Sequence, residues 1–190
     1  MGMEFELKYR ATPEIQEKLA ETGHWHSISM ETTYYDTPSK SLSQRHYTLR
    51  RRLENGVSVC TLKAPAGDLA RGEWETECGS IEVAISELCK LGCPENLPTL
   101  VAEGLIPVCG AKFTRRASTV EFDGAVLEVA LDRGILFAGD REIPLCEIEV
   151  ELKEGTPEQA VAYAGILAQT CDLVSEPDSK FKRALALGEG

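Results

Sequence analysis

The chain has 190 residues, with 20 basic against 31 acidic side chains and a formal net charge of −11. Its 43% hydrophobic and 27% charged residues are the make-up of a globular protein with a core, which excludes a wholly disordered or fibrous chain. So acidic a chain is also a poor binder of nucleic acid duplexes or anionic lipid, which demand an extended positive surface.

The first element is a strand. From Met3 to Tyr9 the residues alternate, Met3, Phe5 and Leu7 on one face and Glu4, Glu6 and Lys8 on the other. Thr12-Pro13 opens a helix as N-cap and first helical residue, and the helix ends near Gly23. Ser27 to Asp36 reads as a strand stopped by Thr37-Pro38. Tyr47 to Glu54 and Val57 to Lys63 form a hairpin across Asn55-Gly56, a strong two-residue turn signal. A second hairpin runs from Lys63 through Pro65-Ala66-Gly67-Asp68 towards Cys78. Helical spacing then appears in Ser80 to Leu91 and Leu97 to Leu105, separated by Gly92-Cys93-Pro94. Strands return as Val108 to Phe122, Ala125 to Leu131 and Arg141 to Lys153. Thr156-Pro157 starts a helix reaching about Cys171, and the tail from Pro177 to Leu187 is a last short strand or helix. With about eight strands, mainly antiparallel neighbours and no linker between them, residues 1–190 are expected to form one domain.

No apolar run is long enough to span a bilayer as a helix, and the N-terminus shows no secretory pattern, so a cytoplasmic protein is expected. The seven cysteines include no CxxC pair, and His24, His26 and His46 lack zinc-ligand spacing. Reduced thiols acting as small hydrophobes are the simplest reading.

Charge follows the strand period. Glu4, Glu6 and Lys8 share a face, as do Arg50 and Arg52, then Glu73, Glu75 and Glu77, then Glu147, Glu149 and Glu151. Glu128 and Asp132 fall in phase, and so do Lys112 and Arg116. On any one strand such a row is most simply a solvated face. Rows of one sign repel, however, and as a set they need a counterpart across a cavity or a bound ion. Turned inward in an eight-stranded antiparallel barrel, wide enough for side chains or one small ligand, they would line a tunnel with cationic and anionic sides. Carboxylate oxygens at strand spacing suit Mg²⁺ or Mn²⁺, and converging Arg and Lys groups suit a polyphosphate. No Gly-rich nucleotide-binding loop is present.

Glu4-Phe5-Glu6-Leu7-Lys8 resembles the ExExK signature of the CYTH superfamily, the triphosphate tunnel metalloenzymes. Tyr35-Asp36-Thr37, Leu49-Arg50-Arg51-Arg52, Thr61-Leu62-Lys63, Glu73-Trp74-Glu75, Leu131-Asp132-Arg133-Gly134, Glu147-Ile148-Glu149-Val150-Glu151 and Ser179-Lys180 follow in the order that resembles the same family. The resemblance implies an α+β fold, an eight-stranded antiparallel tunnel with accessory helices packed outside. It implies Lys8, Arg50, Arg52, Lys63, Arg116 and Lys180 as triphosphate binders, and Glu4, Glu6, Glu147, Glu149 and Asp132 as metal ligands. Glu75 and Glu128 would be further tunnel carboxylates, and Lys8, Arg52 and Glu149 would bear most directly on catalysis. Of the adjacent Arg115 and Arg116 only one can face inward, and parity with Lys112 favours Arg116. Lys180, Lys182 and Arg183 compete for the terminal basic role, with Ser179-Lys180 the better match.

The implied activity is metal-dependent hydrolysis of inorganic triphosphate to pyrophosphate and phosphate, with Mg²⁺ or Mn²⁺ as cofactor. Alternatives are an organic triphosphate (thiamine triphosphate, a nucleoside triphosphate, or cyclisation of ATP) and a polyphosphate- or nucleotide-binding module without turnover. The expected partner is a small triphosphate, with no nucleic acid duplex and no membrane.

Overall fold

The computed structural model describes residues 2–3, 5–66 and 70–188. Its strands are β1 (Gly2–Met3), β2 (Glu6–Arg10), β3 (His26–Asp36), β4 (Thr48–Glu54), β5 (Val57–Ala66), β6 (Ala70–Glu77), β7 (Ile106–Phe122), β8 (Ala125–Ala138), β9 (Arg141–Glu154) and β10 (Val174–Ser175). Its helices are α1 (Pro13–Ala20), α2 (Ile81–Lys90), α3 (Leu97–Leu100), α4 (Pro157–Cys171) and α5 (Lys180–Gly188). All ten strands join one antiparallel sheet in the order β1-β6-β5-β4-β3-β7-β8-β9-β2-β10.

The expected α+β class holds, but the closed eight-stranded barrel does not. The ladder is open, and two of its strands are two residues long. The sheet nevertheless curls on itself, because β1 pairs with β6 while β2 pairs with β9, and both belong to one short N-terminal segment.

The β4–β5 and β7–β8 turns use the left-handed backbone that Asn or Asp followed by Gly adopts at low cost: Asn55 and Gly56 have φ of 48° and 88°, Asp123 and Gly124 have 50° and 81°. Thr12 caps α1 by accepting the Ile15 N–H, and Ser80 caps α2 by accepting that of Val83. The third helix is shorter than the spacing predicts, ending at Leu100 rather than Leu105 as the chain turns through Gly104 at φ 97°.

Four helices cover the outer face. Under α2 and α3 lie Leu49, Cys60, Leu62 and Trp74. Beneath α1, Val129, Leu131 and Ile148 meet Ile15 and Leu19. Under α4, Leu127 and Val150 meet Ala160 and Ala164. The fifth helix departs from expectation. It packs Phe181, Ala184 and Leu185 against Met30, Tyr34, Phe113, Leu136 and Leu145, which are in phase with the inward charges and not with the outer core. The concave face of β7, β8 and β9 thus receives α5 at one end of the tunnel.

Candidate active site

Register places the charged residues level by level. Across β2, β9, β8 and β7, one row reads Arg10, Glu147, Asp132, Arg115, and the next reads Lys8, Glu149, Ala130, Ala117. Because side chains alternate, Glu147, Glu149, Asp132 and Arg115 project to the side opposite Leu131, Ile148 and Val150 of the helix-covered core.

There Asp132, Glu147 and Glu149 form a buried trio whose carboxylate oxygens lie within 4.8 Å of one another. Three cations meet it. Arg115 donates to Asp132 through Nε and a terminal nitrogen, each at 2.8 Å, and also to Glu149. Lys180 reaches Asp132 at 2.8 Å, Glu149 at 2.7 Å, and Glu147. Arg183 pairs with Glu147 and, at 3.7 Å, with Glu176. Burial opposes the charge on Lys180, but Asp132, Glu149 and Glu147 outweigh it and raise its pKa above the lysine range. Burial likewise favours neutral Glu149, yet Lys180 and Arg115 hold its carboxyl well below the usual range. For Glu147 burial wins over Lys180, helped by the charge of Glu149, and its pKa is raised. The two glutamates are therefore unlike despite their shared site.

The opposite wall, β4 to β6, carries Arg50, Arg52 and Lys63. Arg50 and Lys63 approach Glu73 at 3.9 and 3.6 Å, and Arg52 donates to Glu54 at 2.6 Å. Burial first, then the positive charge of Arg50 and more weakly that of Arg115, depress the Arg52 pKa despite Glu54. Tyr34, fully enclosed between the two walls, feels both Arg50 and Lys180, and its ring meets that of Phe181 at 5.0 Å. Lys8 lies beside Glu6 at 3.5 Å.

One expectation is overturned. Arg116 faces outward, bonding Glu17 of α1 at 3.0 and 3.1 Å, and the inward guanidinium is Arg115. Parity with Lys112 misled because Lys112 is itself an outer residue, 64% exposed and paired with Glu31. Glu75 and Glu128 keep the inward parity of Arg50 and Asp132 but stand apart from the trio: Glu75 accepts from Thr61 at 3.1 Å on an exposed part of the wall, and Glu128 pairs with Lys153 at 3.9 Å while its charge also acts on Arg115. Glu4 lies outside the described residues.

Two residues join the site beyond those the sequence favoured: Arg183, weighed behind Lys180 for the terminal basic role, and Gln16, which was not picked out. Arg183 joins because Ser179 caps α5, accepting the Lys182 N–H at 3.1 Å, which puts Lys180 and Arg183 one turn apart on one face. Gln16 of α1 is fully buried and donates through Nε2 to the carbonyls of Asp132 and Glu147 at 3.0 and 2.9 Å, pinning the backbone under two carboxylates. The polar member of an apolar helix face was its available signal.

Three buried carboxylates are a hard oxygen donor set of the kind Mg²⁺ and Mn²⁺ take. Their crowding by three cations shows how much positive charge the site requires, so the residues fit a divalent ion.

The family model described as CYTH domain matches residues 2–185. An inorganic triphosphatase of Haemophilus influenzae is 30% identical over 199 residues, covering 99% of this chain and 56% of that protein. A thiamine-triphosphatase of Macaca fascicularis is 36% identical over 93 residues, 47% of this chain and 39% of that protein. The chain thus spans about half, or less, of the length of these curated relatives. A solved Pyrococcus horikoshii protein superposes with a TM-score of 0.65 at 25% identity, covering 96% of this chain and 98% of that one. A Hippeastrum protein described as a candidate adenylyl cyclase with a dominant triphosphatase activity gives a TM-score of 0.64. It covers 98% of this chain and 96% of its own, and at 15% identity the likeness is one of fold.

Proposed function

The chain belongs to the CYTH domain family, and from that premise we propose that it hydrolyses inorganic triphosphate to pyrophosphate and phosphate with Mg²⁺ or Mn²⁺. The observation that carries this reading is the buried trio Asp132, Glu147 and Glu149 sharing an inward face with converging Arg and Lys side chains. An anion receptor alone gains nothing from three carboxylates, which repel its ligand unless a cation intervenes.

In this reading Asp132, Glu147 and Glu149 hold the divalent ion, with Glu6 and Glu4 on the neighbouring segment. When bound, the ion withdraws charge from phosphate oxygens and eases its build-up on the leaving group. The chain's own groups supply the rest. Arg50, Arg52 and Arg115 present planar forks to phosphate oxygens, while Lys8, Lys63 and Lys180 add point charges. Glu149, held ionised, accepts a hydrogen bond from the attacking water and fixes its approach. Enclosure removes competing solvent and strengthens each of these contacts.

Similarity to a thiamine-triphosphatase over 47% of the chain favours a second reading, an organic triphosphate in the same tunnel. Phosphate release from tripolyphosphate, pyrophosphate, ATP and thiamine triphosphate separates the two. The expected result is fastest turnover of tripolyphosphate, dependent on Mg²⁺ or Mn²⁺ and lowered by about a hundredfold or more in Glu149→Gln. Faster turnover of thiamine triphosphate selects the second reading. Binding that raises the melting temperature with no phosphate released from any substrate overturns both.

A further inference from the structure

The cysteine thiols are not equivalent. Those of Cys60 and Cys109 are buried and donate to carbonyl oxygens, Cys60 to Cys78 and Ser80 and Cys109 to Phe181. At the end of α2 the chain does something different. Gly92, at φ 81°, donates its N–H to the Cys89 carbonyl at 3.0 Å, and Cys93 donates its N–H to that of Leu88 at 3.2 Å. This pair of bonds, two residues past the helix, is a Schellman closure, which folds the chain back over the last turn. It brings Cys93 Sγ to 3.6 Å from Cys89 Sγ and 3.7 Å from the Pro94 carbonyl oxygen, with the Cys93 S–H as donor to either.

From this geometry we infer that Cys89 and Cys93 are a modification site, a dithiol that a small disulfide such as oxidised glutathione converts to an intramolecular disulfide. A covalent S–S bond is about 2.05 Å long, so closure needs an approach of about 1.5 Å, within reach of side-chain rotation. Cys93 belongs to the buried cluster under α2, and Cys89 packs against that cluster at its partly exposed edge. Roles divide by exposure. Cys89 is partly exposed and open to a small disulfide, whereas Cys93 is only 6% exposed and reaches Cys89 from the buried side. Burial, together with the bond to Cys89, pushes the Cys93 thiol up to about 12 and keeps it protonated while Cys89 reacts.

The reaction balances in two exchanges. Cys89 Sγ attacks one sulfur of the small disulfide, the original S–S bond breaks, one thiol departs carrying the Cys89 proton, and a mixed disulfide remains. Cys93 Sγ then attacks Cys89 Sγ, and the second thiol leaves with the Cys93 proton. The cysteines lose two electrons and the oxidant gains them. The product staples the end of α2, which packs through Ile81, Ala84 and Leu88 on the outer side of the wall bearing Lys63.

The folded full-length chain is incubated with oxidised glutathione, alkylated, digested and weighed by mass spectrometry. The expected result is a peptide holding Cys89 and Cys93 that has lost two hydrogens and no longer alkylates at either site. Cys93→Ser should instead retain glutathione on Cys89, and Cys89→Ser should do neither, with circular dichroism checking that both variants fold. Full alkylation of both residues after oxidant, a disulfide formed elsewhere in place of this one, or failure of Cys93→Ser to capture glutathione overturns the inference.

Discussion

Replacing Arg115 and Arg116 separately by Ala tests the inward assignment by stability alone. Arg115 is enclosed and makes a two-pronged contact with Asp132, whose side chain is 0% exposed, and a further contact with Glu149. Removing it leaves buried carboxylates short of a cation, and breaking a buried pair costs about 3–5 kcal/mol. Lys180 still touches both acids, so the lower bound applies. At about 2–4 °C per kcal/mol for a chain of this size, a loss of about 3 kcal/mol lowers the melting temperature by about 6–12 °C. Arg116 pairs with Glu17, which is 53% exposed, and an exposed pair contributes only about 0.2–1 kcal/mol. Urea titration followed by tryptophan fluorescence reads both ends of the molecule, since Trp25 packs near α1 and Trp74 beneath α2. Equal losses in the two variants, or a larger one for Arg116→Ala, would refute the reasoning.

Three further variants follow from the packing. A Cβ on Gly134 would meet the Lys112 carbonyl oxygen at 2.1 Å and Phe113 Cα at 2.5 Å, so Gly134→Ala should cost at least about 1–3 kcal/mol by denaturant titration. Gly165→Ala on open space in α4 should instead raise stability by about 0.5–1 kcal/mol. Gln16→Leu leaves the carbonyls of Asp132 and Glu147 without their donor, and about 1–3 kcal/mol of stability should be lost. Titration with Mn²⁺ should show weaker binding in that variant, and unchanged binding argues against an anchoring role for Gln16.

Much of this arrangement was legible from alternation alone. Each of Lys8, Arg50, Arg52, Lys63, Asp132, Glu147 and Glu149 faces the side its strand parity assigns, because neighbouring apolar residues have a helix to meet on the other side. Parity relates residues within a strand but does not say which face is inner, and Lys112 led to Arg116 because a lysine on an outer face looks the same in one dimension. The partner strand decides: Arg115 stands opposite Asp132 in the β7–β8 register. Arg183 was undecided because helix and strand spacing imply different faces for a tail whose element was open. The inner position of α5 was illegible for another reason. Phe181, Ala184 and Leu185 are amphipathic spacing of the ordinary kind, and nothing local distinguishes packing on the concave side of a sheet from packing on its convex side.

The N-terminal segment that pairs with both β6 and β9 imposes an order on folding. Residues 6–10 find one ladder in residues 147–151 and a second, shorter one in residues 174–175, with Glu176 donating its N–H to the Lys8 carbonyl. This strand has no β9 partner until residues 147–151 have been made, about 140 residues after it. Such distant pairings slow the search for the native topology, since loop entropy is spent before the contact forms. A piece of the wall is thus made well before the residues that seat it, and until they follow, its neighbours β9 and β6 cannot be brought edge to edge.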